Sequence, residues 1–170
     1  MAGKSGLYAS VLIALLSIAG LGFAGVSAGH SAVEAPTQGY RCVVFLEPIR
    51  PGEQFSRASE PICSAGPIDT VNGVPLASSY LITKFYDRTN YRTFLVEYYG
   101  ASDCLSASYG VADLPDSLDN KFESGRAYSQ CNTIYVYDFN NYGGPSYSCG
   151  PNCATFYALN NFVSSWRSTH

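Results

Sequence analysis

The chain has 170 residues, of which 10 are basic and 13 are acidic, and its formal net charge is −3. This balance provides no basic surface for nucleic acid or for an anionic membrane, so it argues against both kinds of partner. The length suits one domain, or one domain with an appendage, that can bury a genuine core.

Residues 1–28 are predicted to be a signal peptide and not part of the fold. Lys4 is the one cation before an apolar run from residue 7 to about residue 25, and residues 26–28 have the small-x-small pattern of a cleavage site. An uncleaved anchor is the alternative, because the run is nearly long enough to span a bilayer. After cleavage the net charge would be −4, and we expect a secreted protein without membrane contact.

The cysteines predict a disulfide framework. All six lie in the part expected to be exported, and an even number in an oxidising compartment is typical of disulfides. Free or metal-bound thiols are the alternative. Many pairings are possible, and we favour those that each close a local loop: Cys42–Cys63, Cys104–Cys131 and Cys149–Cys153.

Residues 29–78 are predicted to form an N-terminal linker and a loop-rich β-hairpin region. Residues 29–38 are small and polar, which suits a flexible start. A short strand is predicted at 42–46 and a turn at Pro51 and Gly52, and the region is closed by the first disulfide.

Residues 79–170 are predicted to form an all-β domain. Short aromatic and β-branched runs, separated by turn residues, occupy 81–86, 93–99, 134–137 and 146–148. No stretch keeps the apolar spacing of a helix, whereas many short strands with regular turns indicate a sandwich or barrel.

An internal repeat divides this domain into two units. The block that begins at Tyr86 recurs at Tyr137, an offset of 51, with Tyr, Asp, Asn and Tyr at identical places. Residues 118–124 recur as 159–165, at an offset of 41. Two blocks in the same order make chance a poor explanation, although strand tyrosines followed by a polar turn remain the simpler interpretation of a single copy.

The spacing of the first block predicts a hairpin folded back over its sheet. An aromatic, four residues, an aromatic, one residue and a glycine allow the two rings to pack together, and the glycine supplies a positive φ where the chain reverses. A later serine can bond the otherwise unpaired backbone of that hairpin.

This combination of blocks resembles the βγ-crystallin Greek-key unit, especially its microbial calcium-binding form. The resemblance covers residues 80–168 and implies a double Greek-key sandwich, with motif one at 80–127 and motif two at 131–168. The second motif satisfies the pattern at Tyr137, Tyr142, Gly144, Asn160, Asn161, Ser164 and Ser165.

The first motif departs from the pattern twice. Thr93 stands where glycine is expected, so that hairpin is either shaped differently or bent at a neighbouring residue, because a β-branched residue is disfavoured at positive φ. Glu123 stands where Ser or Thr is expected. The Glu123 carboxylate still offers an oxygen ligand, but this side chain is longer than that of Ser or Thr and carries a charge.

The resemblance implies calcium as a weakly bound cofactor, because neutral ligands give low affinity. It assigns one ligand set to Asn161, the carbonyl of Phe162 and Ser164. A weaker set comprises Asn120, the carbonyl of Lys121 and Glu123, with Asn160 and Asp119 orienting the loops. In this family the fifth-position side chain commonly serves the partner motif's site. The alternative is a metal-free scaffold in which the asparagines cap turns and the serines pin the hairpins.

Most catalytic chemistry is disfavoured by the composition. His30 and His170 are the only histidines, one near each end of the exported part, where the surrounding structure cannot fix a base. Oxidised cysteines cannot bind zinc or iron, and no phosphate-binding glycine loop is present. Carboxylate pairs alone remain open, and nothing selects one among the acidic residues Glu97, Asp103, Asp113, Asp116, Asp119, Glu123 and Asp138.

We therefore expect a secreted, non-enzymatic βγ-crystallin-like module that binds calcium weakly for structural stabilisation. The alternative is an extracellular protein-binding inhibitor, such as a protease inhibitor, or a toxin-like protein, because exported metalloproteinase inhibitors and killer-toxin-like proteins have similar architecture. Its contacts with an extracellular protein target would be made by exposed loops at residues 57–69 or 100–108. Trp166, the single tryptophan, is predicted to be a core residue.

Overall fold

The computed structural model describes residues 40–170, and the predicted signal peptide and His30 lie outside the described residues. Single-turn 3-10 helices occur at Leu76–Ser78, Asn140–Tyr142 and Tyr157–Leu159. No helix in this part of the chain is long and apolar enough to cross a bilayer. The strands are β1 (Arg41–Leu46), β2 (Ile62–Ser64), β3 (Thr70–Val71), β4 (Val74–Pro75), β5 (Tyr80–Arg88), β6 (Arg92–Gly100), β7 (Tyr109–Val111), β8 (Ser124–Ala127), β9 (Thr133–Phe139), β10 (Gly143–Cys149), β11 (Asn152–Cys153) and β12 (Ser165–Thr169).

The strands of the repeat form two sheets that exchange one strand each. The larger sheet has the order β11-β8-β5-β6-β1-β2, and the second has the order β10-β9-β12-β7. Strand β7 of the first motif pairs with β12 of the second, and β11 of the second motif pairs with β8 of the first. The two motifs are therefore related by a pseudo-twofold. The predicted all-β, βγ-crystallin-like double Greek-key sandwich is confirmed.

Aromatic side chains from both motifs fill the space between the sheets. The ring of Phe85 stacks on Phe122 with centroids 4.2 Å apart, and the ring of Trp166 lies 5.1 Å from Phe85 and 4.6 Å from Tyr98. All four side chains are almost completely buried. Burial of each stabilises the fold by about 1.5–3 kcal/mol. The prediction that Trp166 is a core residue is confirmed.

The segment from β1 to β4 extends the larger sheet and adds a second, smaller core. β1 pairs antiparallel with β2 and also parallel with β6. Successive side chains of β1 point to opposite faces, so Val44 and Leu46 enter the main core while Val43 enters the smaller one with Val71. The predicted hairpin is present, whereas the parallel pairing with β6 was not predicted.

All three predicted disulfides form. Cys42 and Cys63 lie opposite each other in the β1–β2 pair. The other two bonds anchor loops of the Greek-key motifs, and no cysteine of the described residues is free. They are Cys104–Cys131 and Cys149–Cys153.

Candidate metal centre

Two hairpins with paired tyrosines mark equivalent points of the motifs. In the first hairpin (residues 86–93) the rings of Tyr86 and Tyr91 have centroids 5.8 Å apart. In the second hairpin (residues 137–144) the rings of Tyr137 and Tyr142 have centroids 5.3 Å apart. The predicted ring pairing is therefore confirmed in both copies.

Both hairpins turn through positive φ at equivalent residues. Thr93 has φ +51° and Gly144 has φ +72°. Thr93 therefore adopts the backbone conformation expected of a glycine at this position. The first hairpin reverses at the same residue as the second and not at a neighbouring one. A β-branched residue in this conformation stores about 1–3 kcal/mol of strain.

A buried serine ties each hairpin to its motif. The hydroxyl group of Ser124 donates to the carbonyl of Arg88 at 2.6 Å and accepts from the amide of Tyr91 at 3.1 Å. Ser165 makes the same two bonds in the second motif, at 2.7 and 3.1 Å. These contacts confirm the predicted role of the serines and fix each hairpin above the loop that leads into its serine.

Those two loops, the first serine loop (residues 118–124) and the second serine loop (residues 159–165), pair across the pseudo-twofold. The amide of Asn120 donates to the carbonyl of Val163 at 3.0 Å, and the amide of Asn161 donates to the carbonyl of Phe122 at 3.1 Å. Asn120 and Asn161 have positive φ, +58° and +61°. The reciprocal bonds bring both sets of candidate ligands to one surface.

Glu123 connects the first serine loop to the second. Its Oε1 atom accepts from the Asn161 side-chain amide at 2.8 Å, and its Oε2 atom accepts from the backbone amide of Thr89 at 3.1 Å. The fifth-position side chain of one motif therefore contacts the asparagine of the other. The equivalent Ser164 is buried, with 8% of its surface exposed.

Asp119 and Asn160, the first members of the two Asn/Asp pairs, have different surroundings. The Oδ1 atom of Asn160 accepts from the amide of Phe156 at 2.9 Å and from the hydroxyl of Thr155 at 3.2 Å. Asn160 therefore organises its own loop. Asp119 accepts from the Asn120 side chain at 2.8 Å through Oδ2, but its buried Oδ1 atom has no hydrogen-bond partner among the described residues.

The carbonyl groups of Lys121 and Phe162 accept no hydrogen bond from the described residues. The Phe162 side chain is 56% exposed, so this part of the loop faces solvent. The oxygens available at this surface are thus carbonyl, amide and carboxylate oxygens, the donors that calcium prefers. Within residues 40–170, this surface included, no three His, Cys, Asp or Glu side chains lie close enough together to hold a metal ion.

Glu97, one of the acidic residues considered for carboxylate chemistry, is neutralised inside the larger sheet. It is 4% exposed, and its carboxylate lies 2.5 Å from the Arg41 guanidinium and 2.5 Å from the Lys84 ammonium. The two adjacent cations compensate the charge of this buried carboxylate. Its burial was not predicted, because the partner cations come from β1 and β5.

Both loops proposed for protein contact contain a cysteine that forms a disulfide. Residues 101–108 are anchored by the Cys104–Cys131 disulfide, and the Asp103 carboxylate accepts from the amide of Ser106 at 3.1 Å. Leu105 projects from this loop with 61% of its surface exposed. Residues 57–69 include strand β2 at the edge of the larger sheet.

Comparison with known proteins gives two similar solved structures. A βγ-crystallin from an archaeon is 20% identical, with a TM-score of 0.37, over 54% of this chain and 98% of that one. A βγ-crystallin domain from Clostridium beijerinckii is 15% identical, with a TM-score of 0.39, over 52% of this chain and 97% of that one. No protein-family model and no curated protein matches the chain.

Proposed function

We propose that the chain is a secreted, non-enzymatic βγ-crystallin-like module that binds calcium weakly, and that the ion stabilises the contact between its two serine loops. The observation on which this depends is the 2.8 Å contact between Glu123 of the first serine loop and Asn161 of the second. It places a carboxylate and an amide from different motifs at one point.

The donor atoms suit a hard cation. An asparagine amide occupies nearly the same volume in either orientation, so turning the Asn161 side chain over would present Oδ1 beside Oε1 of Glu123. The carbonyl of Phe162, which accepts no hydrogen bond from the described residues, would add a third oxygen. The unpartnered Oδ1 atom of Asp119 also favours a cation near the first serine loop, because a buried carboxylate oxygen without a partner is costly.

The low charge of the donor set supports weak binding. Glu123 is the one carboxylate in contact with Asn161, Asp119 would be the only other carboxylate near the ion, and the remaining ligands would be amide, carbonyl, hydroxyl and water oxygens. Calcium affinity rises with the number of charged ligands and with rigidity. Bound calcium would supply positive charge between the loops, and Glu123, Asn161 and the carbonyls would hold it there.

The test is thermal unfolding of the purified protein in EGTA and in millimolar calcium. At about 100 times the Kd, calcium would add about 2.7 kcal/mol to the free energy of unfolding. Asn161→Ala should abolish this gain. Asn72→Ala is the matched control, because Asn72 is also exposed at positive φ, +49°, but belongs to the β3–β4 turn. Absence of a calcium-dependent shift in the unaltered protein would remove the proposal.

A protein-binding inhibitor is the second candidate, favoured by the exposed Leu105 on a disulfide-anchored loop. A rigid loop that presents an apolar side chain loses little entropy when it binds a partner. Incubation with a panel of extracellular proteases, alongside a Leu105→Asp variant, distinguishes the two functions. Inhibition that the variant loses would support this candidate, and an unaffected panel would eliminate it.

A further inference from the structure

Positive charge gathers on the larger sheet, although the chain as a whole is acidic. Five basic residues belong to β1, β5, β6 and β8, against two acidic residues, Asp87 and Glu97. Gly125 faces the core, where a Cβ atom would lie 3.1 Å from a buried phenylalanine ring. Its neighbour Arg126 therefore points to the outer face, because side chains alternate along a strand. The register places Arg126 opposite Lys84 on that face.

The guanidinium group of Arg126 is held in place but lacks an anionic partner. It lies over the ring of Tyr91, 3.8 Å from the centroid, and this stacking restricts the orientation of its plane. Arg126 forms no ion pair with any residue from 40 to 170. Nε is its one nitrogen that is buried without a partner, so the two terminal nitrogens face solvent. Their N–H groups form the fork that binds a carboxylate through two parallel bonds.

The neighbouring charges on this face leave an excess of positive charge. Glu97 is shared by Lys84 and Arg41, so these three groups together keep one positive charge. Lys84 is still 26% exposed in its side chain. Arg126 adds a second, uncompensated charge on the next strand. Such a surface attracts anions.

Aromatic rings lie between and beside these cations. The ring of Tyr86 lies edge-on to Tyr91 and to Phe94, with centroids 5.8 and 6.0 Å apart. The Lys84 ammonium is 5.9 Å from the Phe94 ring and 5.7 Å from the Tyr128 ring. All four rings are half-buried, so each shows part of its surface to solvent. The negative face of an aromatic ring attracts weakly positive C–H groups. We call this surface the arginine–tyrosine face; it comprises Lys84, Tyr86, Tyr91, Phe94, Arg126 and Tyr128.

We propose that the arginine–tyrosine face binds an acidic oligosaccharide built of uronate sugars. One carboxylate of the oligosaccharide binds the terminal N–H groups of Arg126, and a second lies at Lys84 and Arg41. The C–H faces of the sugar rings pack on Phe94 and Tyr128. From β8 to β1 the face spans four strands, about 14 Å at the usual strand spacing, which is longer than a single sugar. A polymer with regularly spaced carboxylates and C–H faces therefore complements both the charge and the rings.

Three probes separate the contributions of charge and rings: tetragalacturonate, its methyl ester, which keeps the sugars but lacks the charge, and a single-stranded oligothymidylate of equal charge. Binding is measured by calorimetry. All titrations contain EGTA, so failure of the calcium proposal does not affect this result. We expect tetragalacturonate to bind about tenfold more tightly than its ester, because hydrogen bonds to a charged group are the stronger ones. Its affinity should fall as the salt concentration rises, and that of the ester should not.

Variants assign the contacts. Arg126→Gln should weaken tetragalacturonate about tenfold and leave its ester unchanged, whereas Phe94→Leu should weaken both. Arg167→Gln is the matched control, because Arg167 occupies the equivalent position of the second motif and is also half-buried without an ion pair. Tyr135 lies opposite it where Lys84 lies opposite Arg126. The melting temperature of each variant shows that it is folded.

Four results would overturn the proposal. They are equal affinity for the acid and its ester, oligothymidylate binding as tight as that of tetragalacturonate, an equal loss in Arg126→Gln and Arg167→Gln, and the absence of saturable binding.

Discussion

Thr93 and Gly144 are equivalent residues with opposite backbone preferences. Both adopt positive φ, +51° and +72°, although only glycine does so without steric cost. A Cβ atom at Gly144 would lie 2.8 Å from the ring of Phe139. The equivalent of Phe139 in the first hairpin is Arg88, an exposed and flexible side chain. The first motif therefore has space for a side chain at residue 93, and the only free-energy cost there is the backbone strain.

We expect Thr93→Gly to stabilise the protein by about 1 kcal/mol, because it removes the left-handed penalty of a β-branched residue. Urea unfolding measures the change. Gly144→Thr is the reverse exchange and should destabilise by more, since it adds a clash with Phe139 to the strain. A loss of stability in Thr93→Gly would contradict a positive φ at this residue.

At the scale of the element, each hairpin holds a tyrosine in a partly buried position. Burial raises the pKa of Tyr86 to about 12, with a further contribution from Tyr128, and burial raises the pKa of Tyr142 to about 12. Unfolded tyrosine has a pKa near 10. The folded state therefore binds these protons more tightly than the unfolded state does.

The sign of the effect follows from linkage. The contribution of both tyrosines to stability is complete below about pH 10 and is lost as the pH rises towards 12. Unfolding followed by circular dichroism should show a steep loss of stability in this interval. Tyr142→Phe keeps the ring but removes the ionisable group, so its loss should be shallower. An identical alkaline profile for this variant would contradict the prediction.

The repeated elements could be predicted because the same local chemistry occurs twice. The tyrosine pairs and the serines Ser124 and Ser165 act within short distances of their own hairpins, so spacing alone reveals them. The disulfides were predictable for the same reason, since each closes a local loop. The replacement of the expected glycine by Thr93 was evident from the sequence. The positive φ of Thr93 was not, because tertiary contacts overrode the conformational preference of threonine.

Features that depend on distant segments were not predictable. Strands β7 and β11 are three and two residues long, too short for a periodic pattern, and their exchange depends on the other motif. The parallel pairing of β1 with β6 unites segments more than fifty residues apart. The unpartnered Oδ1 atom of Asp119 is likewise buried only in the folded chain.

At the scale of the whole molecule, the β1–β4 segment is part of the sandwich. Val44 and Leu46 of β1 are 2% and 0% exposed within the main core, and β1 covers the edge of β6. We expect a fragment of residues 79–170 to be less stable than the intact chain by several kcal/mol and to aggregate, because it exposes apolar surface and an unpaired strand edge.

Expression of the fragment and of residues 40–170, both with intact disulfides, tests this expectation. Size-exclusion chromatography and urea unfolding compare them. The double variant Cys42→Ser with Cys63→Ser, made in the longer chain, separates loss of the disulfide from loss of the strand. A monomeric fragment as stable as the longer chain would show that residues 79–170 are autonomous.

The exchange of β7 and β11 also has a consequence for the origin of the chain. A single motif of this design would contain one strand whose pairing partner lies in the other motif, and its own sheet would lack the strand that the other motif supplies. Such a motif would complete both sheets by pairing with a second copy of itself. That arrangement is the self-complementary contact of a twofold homodimer. Once two copies are fused, their equivalent positions are free to diverge, and Thr93 against Gly144 and Glu123 against Ser164 are two of the differences between the motifs of this molecule.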